Sequence, residues 1–286
     1  MRFIRFICIP LFTVTLLTIT ALSIFSGVVC AQQASESGSE APQIYTERQE
    51  KEYKFYPGGK IKISLEVPGS LKIIGWERGS VRMEAEIKVN PPITAEKARE
   101  LLKKSTIRVR YTDTDSTIQI TEAPELKGLL EVNMIFYIPE ARTDLIMQMK
   151  KGDFAISNVN GWLEVSIAEG NMDINAIDGY FSGKTLKGKI SANLSGNRWR
   201  GHGFTAVTQD GRIDLILPEN YSAVLQLDTS NGEITVDYPS QEVDGEIIPP
   251  EVVVKKKAQQ LKVHVGDGGA PLHLGTKSGD VSLRKR

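Results

Sequence analysis

Five glycines recur every nine residues through the middle of the chain, at Gly152, Gly161, Gly170, Gly179 and Gly188. A period this regular predicts one structural unit stacked on itself. Nine residues leave room for one strand and one turn, because a β-strand in a globular protein is commonly five or six residues long. The period therefore constrains the fold more than any other feature of the sequence.

Each nine-residue unit carries the alternation of a strand with one buried face. The second residue after each glycine is apolar, the fourth is apolar or small, and the fifth is polar. The apolar second positions are Phe154, Leu163, Met172, Phe181 and Ile190. Such units cannot bury their apolar faces alone, so we predict an all-β fold, a parallel β-solenoid of the β-helix or β-roll type. Each turn of the solenoid could contain two units or three; we favour two, and the sequence leaves both open.

The region before the repeats is also predicted to be β-rich. Short alternating runs begin near residue 60 and are separated by glycines and prolines, which end strands and form turns. One amphipathic stretch, TAEKARELLKK at residues 94–104, predicts a short helix capped by Thr94. We expect a β-rich part at residues 44–150 that is continuous with β-solenoid repeats at 151–286. Residues 240–251, which include Pro249 and Pro250, are expected to form an outward loop.

The first residues have the pattern of an export signal. Arg2 and Arg5 precede an apolar run at residues 6–27, and Val29, Cys30 and Ala31 resemble a signal-peptidase cleavage site. We predict a signal peptide at residues 1–31, a flexible linker at 32–43 and an exported protein, periplasmic or at the cell surface. An uncleaved membrane anchor is the alternative, since the apolar run approaches the length that spans a bilayer.

Composition excludes several kinds of site. Both cysteines lie within residues 1–31, so a processed chain would have no disulfide and no thiolate ligand or nucleophile. Lys plus Arg and Asp plus Glu number 35 each, without the basic surplus that nucleic acid requires. The three histidines form no metal-binding motif, and Lys187 occupies a turn position where a calcium ring would need an acid. We predict no metal site and no cofactor.

Two groups of residues are candidate binding sites. Trp162 and Tyr180 are separated by two nine-residue units, so with two units per turn they would stack on adjacent turns and offer aromatic faces to sugar rings or to an apolar surface. The alternative is that the stacked rings only stabilise the edge of the fold. The second group is Arg198, Trp199 and Arg200, in which guanidinium groups beside an indole could bind an anionic glycan, or could simply stack within a turn.

Catalysis has weaker support in the sequence. Glu164 and Asp173 share a register, three residues after a glycine, but their register mates supply no further carboxylate or arginine. No Gly-x-Ser-x-Gly motif is present. We predict no catalytic residues, and the alternative is a polysaccharide lyase or hydrolase of the β-helix type.

Three groups of motifs recur in the turns of the chain. They are Gly75-Trp76-Glu77 with Val81-Arg82-Met83, Thr229-Ser230-Asn231-Gly232-Glu233-Ile234, and Thr276-Lys277-Ser278-Gly279-Asp280-Val281-Ser282-Leu283. With these motifs the chain resembles, from about residue 60 to the C-terminus, the bacterial putative-adhesin family, a group of exported or membrane-tethered β-solenoid domains of unknown function.

These motifs are structural turns, so the resemblance implies an architecture and carries over no catalytic residue. From the export signal, the dispersed ionisable groups and the candidate binding residues we predict a noncatalytic, adhesin-like interaction or scaffold module at the bacterial cell envelope. The expected partner is an envelope glycan or another envelope protein, without nucleic acid or a small-molecule cofactor. Contact with a membrane is expected only if the N-terminal segment is not cleaved.

Overall fold

β-strands make up nearly all of the regular structure. The computed structural model describes residues 44–104, 107–120, 122–239, 241–257 and 260–286, in which 23 strands, one α-helix and one 3-10 turn are found. The predicted signal peptide (1–31) and linker (32–43) lie outside the described residues. None of the described helices is long and apolar enough to cross a lipid bilayer.

The strands form two large sheets, which we call sheet A and sheet B. Sheet A has 11 strands: β1 (Tyr45–Lys54), β3 (Leu71–Trp76), β4 (Ser80–Val89), β7 (Leu130–Pro139), β9 (Phe154–Ser157), β11 (Met172–Asn175), β13 (Ile190–Asn193), β15 (Ile213–Leu217), β17 (Ile234–Asp237), β20 (Val254–Lys256) and β23 (Val281–Lys285). Sheet B has 12: β2 (Lys60–Leu65), β5 (Ile107–Tyr111), β6 (Asp115–Ile120), β8 (Asp144–Lys151), β10 (Asn160–Glu169), β12 (Asp178–Lys187), β14 (Gly203–Asp210), β16 (Ala223–Asn231), β18 (Gln241–Val243), β19 (Glu246–Ile248), β21 (Gln260–Val265) and β22 (Pro271–Ser278).

The predicted parallel β-solenoid is wrong, because both sheets are mixed. Parallel ladders occupy the middle of each sheet, where β8, β10 and β12 pair with an offset of two nine-residue units. Antiparallel pairs lie toward the ends, including β1 with β4, β4 with β7, β5 with β6, and β16 with β21. The all-β class and the short helix are as predicted. Alternation misled the prediction because it reports a buried face and not the direction of the neighbouring strand.

The C-terminal part contains another departure from the predicted organisation. Residues 240–251, expected to be a loop, contain the antiparallel hairpin of β18 and β19. Asp244 and Gly245 form its turn with φ angles of 50° and 90°, the left-handed conformations that a two-residue hairpin turn requires. The Asp-Gly pair is the sequence signal for this hairpin.

The core consists of apolar side chains that alternate along the strands. The five apolar repeat positions, Phe154, Leu163, Met172, Phe181 and Ile190, are all buried, as predicted. Helix α1 (Ala95–Leu102) adds Ala98, Leu101 and Leu102 to this core, and its first turn is capped where the Lys97 backbone N–H donates to Thr94 Oγ1 at 3.4 Å. The predicted helix at 94–104 is therefore present and slightly shorter.

A column of glycines lies at the corner where the chain leaves sheet B and enters sheet A. Gly170 shows why glycine is needed: its φ is 150°, and a Cβ there would lie 1.8 Å from the carbonyl oxygen of Gly152 on the preceding turn. The same stacking continues through the column, whose members are Gly69, Gly152, Gly170, Gly188, Gly211, Gly279 and Gly232. Successive turns can approach this closely because no side chain separates their backbones.

Candidate functional site

Trp162 and Tyr180 form a stacked aromatic pair on the outer face of sheet B, which we call the aromatic edge. The two residues are direct partners in the parallel ladder of β10 and β12. Their ring centroids lie 4.0 Å apart, with an angle of 26° between the planes. The spacing of two repeat units predicted this stacking, while binding by the pair stays a prediction.

The aromatic edge is accessible and is held in place by carboxylates. Trp162 is 44% exposed and Tyr180 is half-buried. The indole Nε1–H donates to Glu164 Oε1 at 2.6 Å, and the backbone N–H of Trp162 donates to Asp144 Oδ1 at 3.2 Å. The indole hydrogen bond restrains the exposed ring and the backbone hydrogen bond restrains the strand beneath it, so that less side-chain freedom would be lost on binding a ligand.

Asp144 is a member of this site that sequence reasoning missed. It lies on β8, beside the strand that carries Trp162, and it precedes Trp162 by the length of two repeat units. The spacing that links Trp162 to Tyr180 therefore also links Asp144 to Trp162. Extending the period one step toward the N-terminus, beyond the first glycine unit, would have found it.

Arg198, Trp199 and Arg200 are not brought together at the surface. Trp199 is only 4% exposed, its Nε1–H donates to the carbonyl oxygen of Gly179 at 3.0 Å, and its ring meets Phe204 edge-on. Arg198 and Arg200 are exposed. The site expected from an indole flanked by guanidinium groups is therefore absent, since the indole is in the core; binding by Arg198 and Arg200 alone stays a prediction.

Glu164 and Asp173 lie in different sheets. Glu164 belongs to β10 in sheet B and Asp173 to β11 in sheet A. Consecutive nine-residue units alternate between the two sheets, so residues that share a position in the repeat face opposite sides of the molecule. Among the described residues, no group of three or more His, Cys, Asp or Glu side chains could hold a metal ion.

A groove of about 740 Å³ lies on the outer face of sheet A. Five of its charged side chains form ion pairs: Arg82 contacts Glu50 at 3.0 Å and Glu84 at 2.8 Å, and Arg48 contacts Glu86 at 3.1 Å. A ligand there would have to compete with these ion pairs. The aromatic edge offers an uncovered ring surface instead.

Comparison with known proteins gives structural neighbours only. No family model matches the chain, and no curated protein matches it. Among solved structures, the chain is similar to a "putative cell adhesion protein" from Clostridium sporogenes, with 15% identity, a TM-score of 0.44 and coverage of 84% of this chain and 100% of that one. It is also similar to a "putative adhesin" from Bacteroides fragilis, with 9% identity, a TM-score of 0.27 and coverage of 84% and 97%.

A third neighbour is a "putative lipid binding protein" from Parabacteroides distasonis, with 10% identity, a TM-score of 0.27 and coverage of 82% and 96%. The descriptions of the first two agree with the resemblance to the putative-adhesin family that the turn motifs indicated. Because all three TM-scores are below 0.5, the proposals that follow rest on the geometry of this chain.

Proposed function

We propose that this protein is a noncatalytic, exported, adhesin-like module of the bacterial cell envelope that binds a glycan through the aromatic edge. The exposed, stacked pair of Trp162 and Tyr180 carries the proposal. Large aromatic rings usually bury most of their surface, and an exposed one that is held rigidly offers a flat apolar face. The C–H face of a sugar ring is a surface of matching shape and polarity.

Two features of the carboxylates support binding rather than hydrolysis. Glu164 accepts the hydrogen bond of the Trp162 indole, so one of its carboxylate oxygens helps to position the aromatic edge. Asp173, its register mate in the repeat, faces away on the other sheet. Most glycoside hydrolases use two carboxylates that flank the glycosidic bond. Glu164 and Asp173 do not form such a pair.

The N-terminal sequence supports the location. The basic start, the apolar run and the small residues at positions 29–31 match the pattern of a secretory signal peptide, and this pattern supports the proposed export. Fractionation of cells expressing the full chain tests this part. Recovery with the cytoplasmic fraction would contradict it.

Retention on insoluble glycans tests the binding site. The full chain is mixed with bacterial peptidoglycan sacculi, chitin or cellulose, and the fraction that sediments is measured. Trp162→Ala and Tyr180→Ala should each weaken retention about tenfold, which corresponds to the loss of one aromatic contact worth about 1.4 kcal/mol. Leu186→Ala is the matched control, because Leu186 is on β12 and is also 44% exposed.

Unchanged retention of both aromatic variants would remove the aromatic edge as the binding site. The variants must show the wild-type unfolding midpoint, so that a loss of retention reports the site and not the fold. New reducing ends or unsaturated products released from any of these glycans would overturn the noncatalytic part of the proposal.

A further inference from the structure

The aromatic edge is one end of a row of residues that crosses the strands of sheet B. This apolar row occupies the same register on five adjacent strands, β10, β12, β14, β22 and β16, and consists of Trp162, Tyr180, Gly203, Pro271 and Val224. Gly203 and Pro271 each come one residue before the paired Phe204 and Leu272. Trp162 and Pro271 are exposed, and Tyr180 and Val224 are half-buried. Gly203 is buried and has no side chain, so four side chains form the apolar surface of this row.

A polar row runs beside the apolar row on the same five strands. It consists of Glu164, Ser182, Thr205, His273 and Gln226, each two residues further along its strand than the corresponding member of the apolar row. Residues two apart in a strand point to the same face of the sheet. None of the five is buried, so the outer face carries an apolar strip and a hydrogen-bonding strip side by side.

We propose that the ligand is a linear, neutral glycan that lies across these five strands, with the faces of its sugar rings on the apolar row and their hydroxyl groups on the polar row. This inference rests on the proposed function and names its ligand class. The two rows span four strand spacings, or about 19 Å. A single sugar ring would cover only the aromatic edge, whereas an extended chain uses the whole strip.

The charges of the two rows favour a neutral chain. The only formally charged member is Glu164, and no lysine or arginine occurs in either row. An anionic glycan would meet a carboxylate and no compensating cation within the strip. The polar row is instead made of hydroxyl, imidazole, amide and carboxylate groups, which exchange hydrogen bonds with sugar hydroxyls.

The far end of the polar row is held in position before any ligand binds. His273 Nε2 lies 2.6 Å from Asp228 Oδ2, and Gln226 Nε2 donates to the same oxygen at 3.2 Å. In the middle of the row, the hydroxyl groups of Ser182 and Thr205 make no side-chain hydrogen bond to any residue that the structure describes. They are therefore available to a ligand.

Chain-length dependence of binding tests the proposal. Titration calorimetry of the full chain uses chito-oligosaccharides and cello-oligosaccharides, from the disaccharide to the hexasaccharide. We expect affinity to rise with length in the series that binds. Gln226→Ala should weaken the affinity for the hexasaccharide about three- to tenfold, which corresponds to the loss of one hydrogen bond. It should leave the affinity for the disaccharide unchanged. Trp162→Ala should weaken both.

Gln148→Ala is the matched control, because Gln148 also faces outward from sheet B but lies on β8, outside the two rows. Thr205→Val is a second variant in the row and should act like Gln226→Ala. The proposal of an extended ligand would be contradicted if affinity did not change with oligosaccharide length. It would also be contradicted if both variants bound the hexasaccharide with wild-type affinity. Neither result would contradict binding at the aromatic edge. Tighter binding of polygalacturonate than of the neutral series would overturn the neutral class.

Two other results of these binding experiments would contradict the proposed function itself. If Trp162→Ala left both the shortest and the longest oligosaccharide unaffected, the aromatic edge would not be the site. The same conclusion would follow if no oligosaccharide or insoluble glycan bound.

Discussion

The Ser282 hydroxyl donates a hydrogen bond of 2.6 Å to Oδ1 of Asp214 on the neighbouring strand of sheet A. The other carboxylate oxygen of Asp214 lies 3.1 Å from Lys189 Nζ and 3.0 Å from Arg212 Nε. Burial alone would raise the pKa of Asp214, but the Ser282 hydrogen bond and the two cations outweigh it and hold that pKa below its ordinary value. A nearly buried carboxylate therefore stays ionised because it is fully paired.

This pairing predicts an acid-sensitive contribution to stability. Since the folded-state pKa of Asp214 lies below the unfolded-state value of about 3.9, its contribution is fully present above that pH and is lost as the pH falls toward the folded-state pKa. Asp214→Asn should lower the free energy of unfolding at neutral pH by about 1–3 kcal/mol. It should also make that free energy less dependent on pH in the acid range, as measured by urea denaturation.

Asp173→Asn is the control for this prediction. Asp173 lies in the same row of sheet A, two strands away, and is exposed. It should be nearly neutral at the same pH values. Equal losses in the two variants would show that the paired environment of Asp214 contributes nothing specific.

The glycine column predicts a large penalty for one methyl group. Gly170→Ala would place a Cβ 1.8 Å from the carbonyl oxygen of Gly152, at a φ of 150°. Adjacent turns would have to separate, so we expect a loss of about 3 kcal/mol or more in urea denaturation. Gly79→Ala is the control, because its nearest neighbour would lie 3.7 Å away, and its stability should stay within about 1 kcal/mol of wild type. A near-neutral Gly170→Ala would contradict the close stacking of the turns.

The middle of the fold was predictable from local spacing, and its ends were not. The glycines from Gly152 to Gly188 report the nine-residue unit directly, and the strands they define pair at an offset of two units. No such repeat marks β1 or the hairpin of β18 and β19, which pair antiparallel. An alternating strand can pair with either a parallel or an antiparallel neighbour, so contacts between strands that are distant in the sequence decide the direction of pairing.

Local spacing predicted the position of one candidate site and not of the other, for the same reason. Trp162 and Tyr180 lie within the regular repeat, so their spacing fixed their contact. Trp199 lies after the last regular nine-residue unit, where the offset between paired strands becomes longer than two units, as between Tyr180 and Gly203. Its burial depends on Phe204 and on the carbonyl of Gly179, which spacing alone could not place beside it.

A threonine ladder beside the glycine column predicts a smaller effect. Thr276 Oγ1 donates to the carbonyl oxygen of Gly211 at 2.9 Å, and Thr185, Thr208 and Thr229 make similar bonds to glycine carbonyls. Each threonine stands three residues before a glycine of the column. Thr276→Val keeps the shape but removes the donor, so we expect a loss of about 1–2 kcal/mol in urea denaturation.

Thr117→Val provides the comparison for the threonine ladder. Thr117 is half-buried on β6 and makes no side-chain hydrogen bond to the residues that the structure describes. This variant should unfold at nearly the wild-type urea concentration. If Thr276→Val did the same, the ladder would have no net stabilising effect.

Tyr53 predicts a loss of stability at alkaline pH. Its ring is buried and stacks on Tyr111 at 4.2 Å, and its hydroxyl lies 2.5 Å from Ser116 Oγ. Burial raises the pKa of Tyr53 to about 12 against the opposing effect of the Ser116 hydrogen bond. The unfolded chain therefore releases this proton first, and stability that is present below about pH 10 falls by up to about 2.7 kcal/mol as the pH approaches 12. Urea denaturation over this range should show a shallower decline for Tyr53→Phe than for wild type, and an identical decline would contradict the assignment.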